Sequence, residues 1–121
     1  MTGGSSGLGL ETVKRLAAAG ATVVLTSRTE AKGRRAVEVV NDHLLRRGKL
    51  PTRGAIHNIV LDLDDLSDVM LVPSRYEALG LNRDISVLVN NAGVVAVPRR
   101  EKSPWTGTSG PSNRITSVTS Y

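Results

Sequence analysis

Short apolar runs rich in β-branched residues alternate along the chain with segments whose apolar positions recur every three or four residues. This alternation predicts strands separated by amphipathic helices. The predicted strands span 22–26, 56–61, 85–89 and 115–119, and helical spacing joins Leu10 to Ala17, Ala36 to Leu44 and Leu66 to Leu79. Pro73 interrupts the third helical pattern and should kink or split it. Residues 98–113 have no periodicity and predict an irregular loop.

Strands of this length that alternate with helices are typical of a doubly wound α/β fold with a parallel, helix-covered sheet. We predict one such domain over residues 1–121. In this fold the glycine-rich loop that opens the domain, here residues 3–9, normally follows a strand. Only Met1 and Thr2 precede the loop in this chain. We therefore expect the fold to lack its first strand and its C-terminal part, and the chain alone to be marginally stable and prone to aggregate.

Residues 3–9, Gly-Gly-Ser-Ser-Gly-Leu-Gly, form a glycine-rich loop before the first predicted helix. Gly3, Gly7 and Gly9 allow tight turns and a close approach of the backbone to a ligand. The start of the following helix offers free N–H groups and a positive dipole end, which suit a phosphate. The spacing matches neither G-x-G-x-x-G nor a Walker loop. By itself, the loop fits a phosphate site and a simple turn equally well.

A second motif adds weight to the first. Residues 2–9 fit Thr-Gly-x-x-x-Gly-x-Gly, and residues 90–93 read Asn-Asn-Ala-Gly after a predicted strand. With both motifs the chain resembles the short-chain dehydrogenase/reductase family over residues 2 to about 97 and again over 114–120. Leu25-Thr26-Ser27-Arg28 and Leu61-Asp62-Leu63 are most similar to its retinol-dehydrogenase-like branch. The resemblance implies a Rossmann-like fold and hydride transfer between a nicotinamide dinucleotide and a small-molecule alcohol or carbonyl.

The resemblance also implies a set of cofactor-binding residues. Asp62 and Leu63 would border the adenine, and Asn91, Ala92 and Gly93 would line the side of the adenosine ribose. The pyrophosphate would lie against the glycine loop, at Gly3, Ser5, Ser6, Gly7, Leu8 and Gly9.

For catalysis, the resemblance places the family's serine at Ser120. The family's acid–base pair, Tyr-x-x-x-Lys, does not occur: Tyr121 is the last residue, and Gly80 stands four residues after Tyr76. We therefore expect the chain as given to be inactive.

Charge at the end of the second strand of such a fold indicates the cofactor. An acid there binds the ribose 2′-hydroxyl of NAD, whereas an arginine accommodates the 2′-phosphate of NADP. This chain has Ser27 and Arg28 at that point, with Lys32 about one helical turn further on as a second cation. We predict a preference for NADP over NAD. The alternative role for both cations is that of solvated surface charges.

Residues 28–53 carry the whole net charge of +5, which raises the question of nucleic-acid binding. The segment has no aromatic residue on which bases could stack, so we interpret it as a solvated helix face.

No metal site is expected, since the chain has no cysteine, His43 and His57 are isolated, and Asp64 or Asp65 should cap a helix. No apolar run approaches the roughly 20 residues that span a membrane. We expect a cytoplasmic protein that could form oligomers.

Two other functions stay open at this point. The chain could be a non-catalytic NADP-binding or interaction module. It could also be a serine hydrolase, since residues 3–7 fit G-x-S-x-G around Ser5, with Asp42 and His57 in the chain order of α/β-hydrolases.

Overall fold

The computed structural model describes residues 1–49, 55–81, 84–95 and 119–120. Strands and helices alternate in it, which confirms the predicted α/β class. The elements in chain order are α1 (Gly7–Ala18), β1 (Val23–Ser27), α2 (Glu30–Arg46), β2 (Ile56–Val60), α3 (Leu66–Met70), α4 (Val72–Ala78), β3 (Val94–Val95) and β4 (Thr119–Ser120).

The core lies between a parallel sheet and two helices. β1 and β2 pair in parallel, with Val23 opposite Ile56 and Ser27 opposite Val60. Helices α1 and α2 pack against each other and against β1. The largest fully buried side chains are Val13, Leu25 and Val40, one each from α1, β1 and α2. Apolar residues at helical spacing thus cover a strand that is buried along most of its length.

Local signals set the helix ends. Thr29 caps α2 by accepting a hydrogen bond from the Lys32 N–H. Asp65 caps α3 by accepting from the N–H groups of Ser67 and Asp68, so the predicted acidic cap is confirmed at Asp65. The helical pattern around Pro73 is split into α3 and α4, as predicted, and the proline stands in the first turn of α4.

The predicted strand 85–89 is wrong as a regular strand. Met1 lies beside β1, where its ammonium donates to Val24 O at 2.6 Å and its carbonyl accepts from Thr26 N at 3.0 Å. On the other side, Thr2 N donates to Val89 O at 3.0 Å. Met1 and Thr2 thus join segment 84–93 to the sheet. This stretch has too few residues for the repeated hydrogen bonds of a strand ladder. Ile85, Val87 and Leu88, expected to be buried, are exposed.

A second small sheet follows the Asn-Asn-Ala-Gly motif. β3 and β4 pair antiparallel, with Val94 opposite Ser120 and Val95 opposite Thr119. This pairing departs from the single parallel sheet that we expected. The predicted loop 98–113, residues 115–118 of the last predicted strand and Tyr121 lie outside the described residues.

Candidate functional site

Three segments of the chain end side by side at one edge of the sheet. Ser27 ends β1 level with Val60, which ends β2. Because Met1 runs alongside β1, Thr2 and Gly3 leave the sheet at about the same level. We give the name carboxyl edge to the residues at these three ends, 2–9, 27–32 and 61–65, together with segment 89–93, which is hydrogen-bonded to Thr2. Ligands of doubly wound sheets bind in the crevice outside this edge.

Close packing of the glycine loop requires glycine at several positions, of which Gly3 and Gly9 lie against segment 90–93. Gly3 has φ +64°, and a Cβ there would lie 2.9 Å from the Cα of Ala92. A Cβ on Gly9 would overlap the carbonyl oxygen of Gly3 and lie 2.7 Å from Asn91 Nδ2. The loop therefore folds back on the start of α1 and touches segment 90–93, with no space for side chains between them.

Hydrogen bonds join the two sequence motifs. Thr2 Oγ1 accepts from the N–H groups of Asn91 and Ala92, at 3.1 and 3.0 Å. The Asn91 side-chain amide donates to the carbonyls of Thr2 and Gly3, both at 3.3 Å. The glycine loop and the Asn-Asn-Ala-Gly segment therefore form one structural unit, although about 90 residues separate them.

The N-terminus of α1 opens toward solvent at the carboxyl edge. Ser6 is the N-cap residue, and its side chain makes no capping hydrogen bond. The first turn has no acidic residue, and Ser6, Gly7 and Leu8 are all exposed. An accessible helix start without a competing carboxylate can bind an anion through its N–H groups and its positive dipole end.

Arg28 stands directly after β1, at the same edge. Its Nη2 atom lies 2.8 Å from Asp64 Oδ2, and both side chains are exposed, at 54% and 76%. Lys32 is exposed in the first turn of α2. The two cations stand where the chain passes from β1 into α2. Both are accessible there to a ligand that approaches the carboxyl edge from solvent.

The turn that carries Arg28 is held by its buried neighbour. Ser27 Oγ lies 2.9 Å from Thr29 O and 2.8 Å from Asn58 Oδ1, but a hydroxyl has only one proton. Asn58 Nδ2 is buried without a hydrogen-bond partner. If the Asn58 amide is turned so that its NH₂ donates to Ser27 Oγ, Ser27 can donate to Thr29 O and the amide nitrogen gains a partner. Asn58 on β2 thereby orients the turn at residues 27–29.

Hydrogen bonds to side chains of α3 and α4 hold the loop after β2 in place. Asp62 N donates to Asp68 Oδ2 at 2.7 Å, and Asp62 Oδ1 accepts from Asp64 N at 3.0 Å. Arg75 donates to Asp68 Oδ1 and to Val60 O, each at 2.5 Å. The hydrogen bond from Arg75 holds the pKa of Asp68 below its usual range, and the same contact raises the pKa of Arg75. The loop presents Leu63, 44% exposed, at the edge.

Comparison with known proteins gives the family. The family model for short chain dehydrogenases matches residues 1–107. The chain belongs to the short-chain dehydrogenase family. A probable oxidoreductase of Streptomyces lividans is 33% identical over 105 residues, which are 87% of this chain and 31% of that protein. The polyprenol dehydrogenase of Danio rerio is 35% identical over 100 residues, 83% of this chain and 28% of that protein.

The polyprenol dehydrogenase of Mus musculus is also 35% identical, over 101 residues. The chain thus spans about 30% of the length of these short-chain dehydrogenase relatives. No solved structure gives a significant match. The relatives do not single out the retinol-dehydrogenase-like branch.

The predicted cofactor residues all lie along the carboxyl edge. They come from four segments that are distant in sequence: the loop at Gly3 and Ser5–Gly9, the turn with Arg28 and Lys32, the loop with Asp62 and Leu63, and Asn91–Gly93. Ser120 lies in β4, opposite Val94 in the register. The sequence reading missed Thr2 and Asn58, which hold the loop and the turn. Thr2 opens the glycine motif, which was a usable signal; Asn58 has no sequence signal, because its role depends on β1 and β2 being paired.

The hydrolase constellation does not form. His57 pairs with Val24 in the sheet. This position is about three residues, or 10 Å, before the level at which the loop with Ser5 leaves the sheet. The Asp42 carboxylate lies on α2, 2.9 Å from Arg46 Nε. The serine hydrolase alternative is therefore wrong.

The described residues also bear on metal binding and on membranes. Among the residues that the structure describes, no group of three or more His, Asp or Glu side chains is arranged to hold a metal ion. None of the helices in these same ranges combines the length and the apolar character that crossing a bilayer requires.

Proposed function

We propose that this chain carries the dinucleotide-binding part of an NADP-dependent oxidoreductase, which interconverts an alcohol and a carbonyl. The observation that carries the proposal is the unit formed by Thr2, Gly3, Gly9 and Asn91, which opens the start of α1 toward the crevice at the carboxyl edge. Arg28 stands beyond the neighbouring strand at this edge.

The residues present fit a pyrophosphate. At Gly3 and Gly9 a Cβ would collide with Ala92 and with the Gly3 carbonyl, so glycine at these positions lets the loop fold tightly beside the start of α1. The first turn of α1, exposed at Gly7 and Leu8, supplies N–H donors with no carboxylate to repel an anion. When bound, the nicotinamide supplies the hydride chemistry, while these residues bind and orient the dinucleotide.

The preference for NADP rests on the end of β1. Ser27 stands where an acid would bind a ribose 2′-hydroxyl, and its hydroxyl is engaged with Thr29 and Asn58. The next residue is a partly exposed arginine that can form a fork of hydrogen bonds to a 2′-phosphate, and Lys32 adds a second positive charge. By the resemblance to the family, Asp62 and Leu63 would border the adenine, and Asn91–Gly93 would line the ribose side.

Catalysis needs groups beyond the binding unit. We propose Ser120 as the serine that orients the substrate, on the resemblance alone. The 121 residues contain no Tyr-x-x-x-Lys pair, so we expect cofactor binding without turnover from this chain. The retinol-dehydrogenase-like branch, a cytoplasmic location and an oligomeric state stay predictions.

Titration of the purified 121-residue chain with NADPH and with NADH, followed by cofactor fluorescence, tests the proposal. We expect NADPH to bind more tightly. Arg28→Gln removes charge-assisted hydrogen bonds worth about 1.5–3 kcal/mol, so it should weaken NADPH binding roughly tenfold or more and NADH binding little.

Arg46→Gln is the matched control. It removes another exposed, ion-paired arginine at the far end of α2, about 24 Å along the helix from the carboxyl edge. It should change neither affinity. A folded chain that binds neither dinucleotide would overturn the proposal. If Arg28→Gln and Arg46→Gln weakened NADPH binding equally, Arg28 would not be part of the site.

A further inference from the structure

We propose that Asp64 is a specificity-determining residue: it competes with the 2′-phosphate of NADP for Arg28 and so narrows the preference for NADP over NAD. The inference deepens the proposed function and rests on it. It starts from the ion pair between Arg28 and Asp64, which joins the turn after β1 to the loop after β2 across the carboxyl edge.

The pair is positioned by the backbone. Asp64 N donates to Asp62 Oδ1, and Asp62 N donates in turn to Asp68 Oδ2, which Arg75 anchors to the end of β2. The Asp64 carboxylate is therefore presented to Arg28 from a constrained loop, at 2.8 Å.

The neighbouring acids have other roles. Asp65 accepts from the N–H groups of Ser67 and Asp68 as the cap of α3, and Asp68 is paired with Arg75. Among the ion pairs of the described residues, the partner of Arg28 is Asp64. Asp64 is therefore the carboxylate that would compete with the 2′-phosphate for Arg28 at this edge.

The competition affects only one of the two cofactors. A carboxylate and a phosphate use the same N–H donors of a guanidinium, so a 2′-phosphate must displace Asp64 or share Arg28 with it. Sharing places two negative groups side by side, and this repulsion is weakened but not abolished by solvent at an exposed site. A 2′-hydroxyl carries no charge, so NAD avoids the repulsion. Loss of the Asp64 charge should therefore favour NADP selectively.

The test compares the affinities of NADPH and NADH in the full chain for the wild type, Asp64→Asn and Asp65→Asn. Asp64→Asn should tighten NADPH binding roughly two- to tenfold, the range expected for an exposed ion pair and a nearby like charge. NADH binding should stay within about twofold. Asp65→Asn removes the same charge one residue away and keeps a capping side chain, since asparagine also caps helices.

Arg28→Gln and the double variant Arg28→Gln/Asp64→Asn show whether the effect passes through Arg28. In the Arg28→Gln background, Asp64→Asn should no longer change the ratio of the two affinities. Adenosine 2′,5′-bisphosphate against adenosine 5′-monophosphate is a second pair of probes that reports the adenosine half alone, and Asp64→Asn should tighten only the first.

The outcomes separate the two proposals. If the folded wild type binds neither dinucleotide, the proposed function fails and takes this inference with it. If the wild type binds NADPH and responds to Arg28→Gln, but Asp64→Asn shifts the ratio no more than Asp65→Asn does, only the role of Asp64 is refuted. A shift that persists in the Arg28→Gln background refutes it too.

Discussion

Gly33 on α2 packs directly against Asn58 on β2, the residue that orients the turn carrying Arg28. A Cβ on Gly33 would overlap the Asn58 side-chain amide and lie 2.5 Å from its Oδ1 atom. Gly33 is buried, so the methyl group of Gly33→Ala cannot turn into solvent. We predict that this substitution, which normally favours a helix, destabilises the protein.

The contributions can be estimated from the contact. Alanine gains about 1 kcal/mol over glycine inside a helix. Overpacking costs about 1–3 kcal/mol, and displacing Asn58 from Ser27 costs about another 1 kcal/mol. The net loss is therefore about 1–3 kcal/mol. With Asn58→Ala the methyl group has space, so Gly33→Ala should then stabilise by about 1 kcal/mol, which makes the coupling energy roughly 2–4 kcal/mol.

Urea unfolding followed by far-UV circular dichroism measures this cycle for the wild type, both single variants and the double variant. Sulfate, added equally to all four samples, strengthens burial so that the destabilised variants begin folded. Equal effects of Gly33→Ala in both backgrounds would refute the packing of Gly33 against Asn58 and, with it, the account of the turn at residues 27–29.

Two further predictions concern the glycine loop and the loop after β2. Gly9→Ala should weaken NADPH and NADH binding to a similar extent, measured by fluorescence titration, because a Cβ there collides with the loop that both cofactors use; a loss confined to NADPH would contradict this. The pKa of Asp68 is lowered by Arg75, so its contribution to stability is complete above the unfolded pKa of about 3.9 and is lost as the pH falls through the lower folded pKa. Thermal midpoints measured by circular dichroism from about pH 5 to pH 3 should therefore fall less steeply in Arg75→Gln than in the wild type; parallel profiles would rule out the pair as the cause.

Local patterns predicted the elements well where one stretch of chain suffices to form them. The spacing of Ala36, Val40 and Leu44 indicates the buried face of α2, and Asp65 and Pro73 mark where α3 begins and where the helical pattern breaks. The failure at 85–89 has a different origin. Its apolar composition is that of a buried strand, but a strand also needs a neighbour along its length. Among the described residues, the backbone hydrogen bond that joins it to the sheet runs from Thr2 to Val89.

The order of strands and helices, the glycine loop and the cation after β1 could all be predicted from local stretches of chain, because backbone preference and hydrophobic periodicity are local properties. Which residues touch those groups depends on how the chain folds. Parallel pairing of β1 with β2 brings Asn58 to Ser27 and Asp64 to Arg28, and the bond from Thr2 to Asn91 joins the two motifs. These contacts link residues 31 to 89 positions apart, and such proximity depends on how the whole sheet is assembled rather than on any local stretch of chain.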